Sequence, residues 1–588
     1  MSATVLYKMR ILSNSLALKR RTVAEYFIMG ILVSIFLDNP FDVIDSLAFF
    51  SLLSSLAIGL AATAVVSGMT KTKSLRLNVF DAIILSLAVY TIIRFSVQKD
   101  FYILNEKFLL TIGMAIYYFI IRLIKPDLHR ACNFLISLYV INVLLGLLET
   151  SGILRGYTFS WALENSAIYS IYMSSFIPIV MYRAYYTSKR INRLLFLFII
   201  TVGIVLLCRL NSRTSWIALT VSLCFMGLYM SGWFNGKRNM LLYPIAFVLI
   251  IVMSLSLYSY KKDSSDGRMF IYGNTLDMVC DAALFGHGFD AFKVKYLDYQ
   301  AKYFSIHKDD KNNILLADNT RTAFNDYMLV WAEQGIFAVI LLIAALFWII
   351  THVNKDNIHF ACGLGIFVIS SCFSYPMYSA PCSILAIFLS GCIVNGEDTL
   401  NQKTQTRSNV GRIFAGIICV CYMLLSISNM VLYAVWNNSY KKVLTFDTSG
   451  FYTYNKISPF MYGNGGFLFN YGSELLFADN MNHSALVLNS AKKYFNDNLL
   501  YLYLGDAYMG QQLYPLAEEH YRHAIDMVPN RLYPRYRLLK LYEEKGQEHD
   551  AMVMAKEIMS CEVKIPSNTT NMIRKYATDK LTDKNYGL

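Results

Sequence analysis

The sequence predicts an all-α fold: a polytopic integral membrane protein of about 13 transmembrane helices, with a long extracytoplasmic loop and a C-terminal α-helical repeat domain. Three observations carry this. Of 588 residues, 55% are hydrophobic and only 16% charged, whereas a soluble domain has roughly 25% charged residues. Apolar runs of about 20 residues, the length that crosses a hydrocarbon core, recur through most of the chain. The C-terminal part loses that character and becomes helical and amphipathic in pattern.

The spans are expected at roughly 22–37, 46–69, 79–97, 108–122, 131–149, 164–182, 194–210, 214–230, 241–260, 327–351, 358–373, 381–395 and 413–437. Lys19, Arg20 and Arg21 precede the first, and no small-residue cleavage site follows it, so it reads as an uncleaved span rather than a signal peptide. With a cytoplasmic N-terminus, the inside segments hold 21 Lys and Arg, against five outside (Lys99, Lys107, Arg155, Arg209 and Arg213). The positive-inside rule then places the Lys261–Asp326 loop, the tail, Arg213 and the Phe373-Ser-Tyr-Pro376 turn together on the outer face. The same inside loops, among them Arg122 and Arg130, account for most of the net charge of +13, so the charge does not call for a nucleic-acid partner. Most of the eleven cysteines sit in apolar segments, without metal-ligand or disulfide spacing. Neither a metal site nor a cofactor is expected.

Three regions follow: N-terminal transmembrane helices over 1–150, a transmembrane core over 151–437 that includes the outer loop 261–326, and a tail over 438–588. The loop is too long for a simple connection. Its aromatic residues, among them Phe270, Tyr272, Phe289, Phe292 and Tyr296, argue for a folded platform. In the tail, residues 498–531 follow a tetratricopeptide template, with Tyr501, Leu504, Gly505, Tyr508, Ala517, Tyr521, Ala524 and Pro529 at signature positions. Such helical hairpins need neighbours to bury their faces. They would serve as a docking surface for an acceptor or protein partner, or as a cap that stabilises the loop.

Several residues could carry chemistry. Arg209 and Arg213 stand at the outer ends of consecutive spans, in Cys208-Arg-Leu-Asn-Ser-Arg-Thr-Ser-Trp216. Snorkelling to the interface explains Arg209. Arg213 opens a span, where a guanidinium and a helix N-terminus together suit a phosphate. Arg268 follows a Ser-Ser-Asp-Gly turn and leads into a helix from Met269 to Cys280. Converging arginines at a membrane surface suggest a lipid-borne phosphate, bound without a nucleophile. Leu284-Phe-Gly-His-Gly-Phe-Asp290 contains a Gly-x-Gly turn that presents His287, a binding or a structural histidine. Asp318 to Tyr327 leads into a span. There Asn325 and Asp326 are helix caps, or Asp326 or Asp318 is a base or a hold on a sugar hydroxyl, and Arg321 is a further binding candidate. Glu333 is a candidate buried acid, Tyr375 lies in an outer turn, and Asn165 in Glu164-Asn-Ser166 opens a span as a cap or a ligand.

The order of these features resembles the O-antigen ligase family of polytopic membrane glycosyltransferases, which includes protein O-oligosaccharyltransferases and is similar to O-antigen polymerases. Asn165 opens a span, then come Ser212-Arg-Thr-Ser-Trp216, a long outer loop with Arg268 and Gly286-His-Gly288, Phe324-Asn-Asp-Tyr327 and the Tyr375-Pro376 turn. The resemblance covers about residues 150–390, and the helical tail is similar to the protein-glycosylating branch. It implies transfer of a preassembled glycan from a polyprenyl-pyrophosphate donor to a lipid A core or protein hydroxyl, at the outer face of a bacterial inner membrane. No metal or nucleotide sugar is implied. Arg213 and Arg268 would hold the pyrophosphate, and Asn325 would align substrate. Where the family typically has His-Asn, this chain has Phe324-Asn325, so the family's proposed base is absent; Asp326, Asp318, His287 or His307 would replace it, or the step would need little base. An O-antigen polymerase, a lipid-linked oligosaccharide flippase and a scaffold built on the tail are the alternatives. Scarce mid-span charge and the lack of internal repeats count against the flippase.

Overall fold

The computed structural model describes residues 22–68, 77–98, 101–153, 165–231, 262–395 and 409–582. The expected span at 241–260, Glu164, and most of the lysines and arginines behind the orientation argument lie outside them. Among the described residues the regular elements are α-helices and short 3-10 turns. Six helices among the described residues are long and apolar enough to cross a membrane: Ser46–Val66, Val79–Ser96, Glu106–Ile124, Leu128–Thr150, Arg190–Leu210 and Ile413–Leu444. Shorter apolar helices occupy Thr22–Val33, Ile336–Thr351, Ile358–Ser370 and Ala380–Asn395. The chain is an all-α polytopic membrane protein.

Several expected elements are cut differently. The span at 164–182 is two helices, Ser166–Ser174 and Ile177–Tyr186, and Pro178 stands in the first turn of the second. A proline there sacrifices no helical bond, because its missing N–H would have had no partner. The span at 327–351 is also two helices, Asp326–Gln334 and Ile336–Thr351, divided at Gly335 with φ +79. A Cβ at Gly335 would run into the Leu284 carbonyl, so only glycine lets the loop come this close. The last apolar helix runs 36 residues, Asn409–Leu444, straight through the 437/438 boundary between core and tail. Ser264 to Gly267 are not a turn before Arg268; they lie inside helix Lys262–Asp281. Serine and aspartate suit the first turns of a helix, and a single interior glycine costs only about 1 kcal/mol.

Buried tyrosines organise the bundle core. Tyr117, Tyr169 and Tyr422 donate to the carbonyls of Ile28, Asn142 and Leu109 at 2.9, 2.8 and 3.0 Å. Gly146 and Gly113 leave the room that Tyr169 and Tyr422 fill. Arg122 was expected in a short inside connection; it is fully buried. Its Nε and Nη2 bond both oxygens of Asp81 at 2.9 and 3.0 Å, and Nη1 donates to Asn395 Oδ1 at 2.8 Å. The Tyr118 hydroxyl donates to the same carboxylate at 2.6 Å.

The tail stacks helices in consecutive pairs: Gly465–Phe477 with Met481–Ala491, Asn498–Gly510 with Tyr514–Met527, and Leu532–Glu544 with Glu548–Ser560. Gly505 receives the buried ring of Tyr521 across one pair, and Gly472 receives Leu488 across another. This stack seats on the loop. Gln300 donates to the Met527 carbonyl at 2.6 Å, and Asn530 to the carbonyls of Ile314 and Ala317 at 2.7 and 2.8 Å. Phe292, Tyr296, Met527 and Val528 share one apolar cluster. Loop and tail therefore lie on the same side of the bundle.

Removing the Asp81 carboxylate leaves a buried guanidinium without its counter-charge, which costs about 3–5 kcal/mol. Asp81→Ala is expected to lower the melting temperature of the detergent-purified protein sharply. An unchanged melting temperature would show that the pair is not needed to hold the helices.

Candidate functional site

The site forms where five separate stretches meet, and each local fold has a cause. Helix Arg190–Leu210 ends on Asn211 in the left-handed region, and Ser212 caps the next helix, which begins with Arg213. The chain thus reverses within two residues and leaves Arg213 at a helix N-terminus, where unpaired amides and the helix dipole favour an anion. Arg213 Nη1 donates to Ser265 Oγ at 3.2 Å. Ser265 and Arg268, three residues apart, share a face of helix Lys262–Asp281, and the charges of Arg213 and Arg268 act on one another. Arg268 is half-buried. Its Nη1 donates to the Phe373 carbonyl at 2.7 Å, and burial lowers its pKa, though a guanidinium stays charged throughout the working range.

The floor beneath Arg268 is aromatic. Its Cζ lies 5.6 Å from the centre of the Phe324 ring, and that ring meets Tyr375 edge-on at 5.0 Å. Phe324 is held in the left-handed region, φ +51, and its carbonyl accepts from the Tyr272 hydroxyl at 3.1 Å. Asn165 caps its own helix by accepting from the Ala167 N–H at 2.8 Å, while its Nδ2 donates to the Tyr375 hydroxyl at 3.2 Å.

Asn325 and Asp326 fasten this floor. Asn325 Oδ1 accepts from the N–H groups of Tyr327 and Met328, both at 3.0 Å, and its Nδ2 donates to the Cys372 carbonyl at 3.0 Å. The buried Asp326 carboxylate accepts from the Ser371 hydroxyl at 2.7 Å and the Met377 N–H at 3.1 Å. Its backbone N–H donates to the Ser371 carbonyl at 2.9 Å. Capping and cross-linking thus coexist in these residues, and Asp326 holds the turn that carries Tyr375.

Six of the ten expected site residues come together: Asn165, Arg213, Arg268, Asn325, Asp326 and Tyr375. The other four lie apart from the arginines. Arg209 is exposed and donates to Thr150 Oγ1 at 3.4 Å. Asp318 takes Arg531 at 2.9 Å and Lys564 at 3.4 Å from the tail. Burial alone would raise its pKa, but the Asn319 N–H and these two cations hold it below its ordinary value. Arg321 faces Asp45 at 3.7 Å and the Phe495 ring. His287 Nε2 lies 2.8 Å from the Met278 carbonyl, and burial lowers its pKa. The glycines around His287 have a structural task, since the N–H groups of His287 and Gly288 donate to the carbonyls of Ala332 and Glu333 at 2.8 Å. His307 stacks on Tyr303, and Glu333 is bonded by Lys107 at 3.1 Å. The sequence reading missed Ser265 and Tyr272. Their spacing of three and four residues from Arg268 marks them as facial neighbours once that segment is read as one helix. Among the described residues, no group of three or more His, Cys, Asp or Glu is placed to hold a metal.

A family model described as O-antigen ligase matches residues 195–343. The matched span holds both arginines, Asn325 and Asp326; Asn165 and Tyr375 lie on either side of it, and the helical tail lies beyond. A comparison with curated proteins finds no match.

Burial pushes the Asp326 carboxyl from 3.8 up to about 7, with Ser371, Met377 and Lys107 pulling the other way. The fold favours the protonated acid, so the stability it confers is present below about pH 4 and lost as pH rises through about 7. Melting temperature is expected to fall across that window in the wild type and to fall less in Asp326→Asn, whose amide oxygen still accepts from Ser371 and Met377. Equal slopes in the two proteins would discharge Asp326 as the cause.

Proposed function

We propose, from the premise that the chain carries an O-antigen ligase domain, that it transfers a preassembled glycan from a polyprenyl-pyrophosphate carrier to a hydroxyl acceptor. In this reading it resides in a bacterial inner membrane, with the loop and tail in the periplasm. The observation that carries the proposal is the meeting of Arg213 and Arg268, drawn from different helices, over a floor of Phe324 and Tyr375. Two like charges repel, and bringing them together is favourable when a dianion lies between them; planar guanidinium donors match phosphate oxygens in pairs.

The acceptor oxygen attacks the anomeric carbon of the reducing-end sugar. The new C–O bond forms as the bond to the pyrophosphate oxygen breaks, and the electron pair leaves with the polyprenyl pyrophosphate. The arginines act where that negative charge develops, the placement that accelerates a reaction most directly. Phenylalanine at 324 cannot take a proton, and the Asp326 carboxylate is engaged by Ser371 and Met377. The acceptor proton therefore passes to the departing pyrophosphate, a good leaving group that needs little base assistance. Asp326 and Asn325 act as positioning residues through the 371–377 turn. The tetratricopeptide-like tail belongs to the acceptor side, a reading supported by its seat against the loop.

The test is a transfer assay with purified protein, a polyprenyl-pyrophosphate glycan, and rough lipopolysaccharide or a Ser/Thr-rich periplasmic protein as acceptor. Arg213→Ala and Arg268→Ala are each expected to lose transfer by about 10²–10³-fold, the usual cost of removing one charge-stabilising donor, while the protein stays in the membrane. Undiminished transfer in both variants would sink the assignment.

A further inference from the structure

A cavity of about 1000 Å³ opens where the bundle, the loop and the tail meet, at the upper end of the range for ligand sites. Its lining does not include Arg213 or Arg268. The 3-10 turn Pro376–Tyr378 adjoins both places: Tyr375, just before it, faces Phe324, while Met377 and Tyr378 line the cavity. The rings of Tyr375 and Tyr378 stand 6.4 Å apart.

The lining has a definite chemistry. It is lined by Tyr433, Trp436 and Tyr440 from helix Asn409–Leu444 and by Phe469, Phe477 and Tyr503 from the tail. Its charges are balanced, five carboxylates against four lysines and one arginine, and most answer one another. Lys107 meets Asp290 at 3.2 Å, Lys293 meets Asp290 at 2.5 Å, and Arg321 meets Asp45 at 3.7 Å. Glu474 stands apart. It is half-buried, its hydrogen bond from Asn470 is a long 3.5 Å, and among the described residues no cation is set against it. A second anion would gain nothing from a wall without surplus positive charge. An acyl chain would have to bury these polar groups unpaired. A neutral polyhydroxylated molecule satisfies both requirements, with ring C–H faces on the aromatic side chains and hydroxyls donated to a carboxylate that can only accept.

We propose that this chamber binds the oligosaccharide portion of the substrate, with Glu474 as its principal hydroxyl acceptor and Tyr440 as a stacking face. That the bound sugar belongs to the transfer reaction rests on the reading above. The one turn shared by the two places would let the pyrophosphate lie on the Tyr375 side while the sugars extend past Tyr378.

The probe is the free oligosaccharide released by mild acid from the polyprenyl carrier of the source organism, titrated into the full-length protein in detergent. Binding is expected in the wild type and also in Arg268→Ala, because the released sugar carries no pyrophosphate. It is expected to weaken at least tenfold in Glu474→Gln and in Tyr440→Ala. Absence of binding to the wild type overturns the proposal, as does a loss below threefold in both chamber variants. A protein that binds the oligosaccharide but transfers none of it would keep the chamber and overturn the transfer reaction. Transfer with an unchanged KM in Glu474→Gln would do the reverse.

Discussion

A charge inside an apolar bundle persists only when something answers it, and the arrangement of answers shapes this protein. Arg122 is bonded at both ends of its guanidinium group by Asp81 and tied to Asn395. Arg130 takes the fully buried Glu25. Where the loop meets the bundle, Lys107 bridges Glu333 and Asp290, and Lys293 shares Asp290. Apart from Lys293 and Asp290, which are three residues apart, these contacts join separate segments of the chain, Arg122 to Asn395, Arg130 to Glu25 and Lys107 to Glu333, so the same interactions that neutralise charge also tie those segments together. Arg268 is treated differently: a carbonyl and an aromatic ring meet its guanidinium. That contrast sets Arg268 apart from the structural arginines.

Backbone proximity supplies the second constraint. The loop returns to the bundle through Gly286 and Gly335, each in a positive-φ conformation, each so close to the other strand of chain that a Cβ would overlap it. The amides of His287 and Gly288 close the carbonyl end of helix Asp326–Gln334, satisfying groups that a helix end would otherwise leave unbonded. This junction sets the height of the loop over the bundle. Asp326, at the other end of the same nine-residue helix, then ties the loop to the 371–377 turn. One short helix thus transmits the position of the loop to the floor beneath the arginines.

The tail is more than an appendage to this arrangement. Asn496, Asn530 and Gln300 exchange bonds between tail and loop, and Asp318 draws in Arg531 and Lys564. Residues that look available for substrate in the linear sequence, Asp318 and Arg321 among them, are occupied at that seam or beside the chamber it encloses.

The sequence alone determined the helical class, the apolar segments, and the prominence of Arg213, Arg268, Asn165, Asn325 and Tyr375, because hydropathy, caps and turn residues are local properties. It also made a folded loop and a helical tail legible, through aromatic content and a repeating pattern. Tertiary structure alone decided that the Ser264–Gly267 stretch is helical, that two apolar runs break at Ser175–Phe176 and at Gly335, that Asp326 faces Ser371 rather than an open site, and that His287 belongs to a backbone junction. At Gly335, Asp326 and His287 the decisive contact comes from a segment remote in the chain, and the energy of burying or pairing a group depends on that neighbour, which no local pattern records.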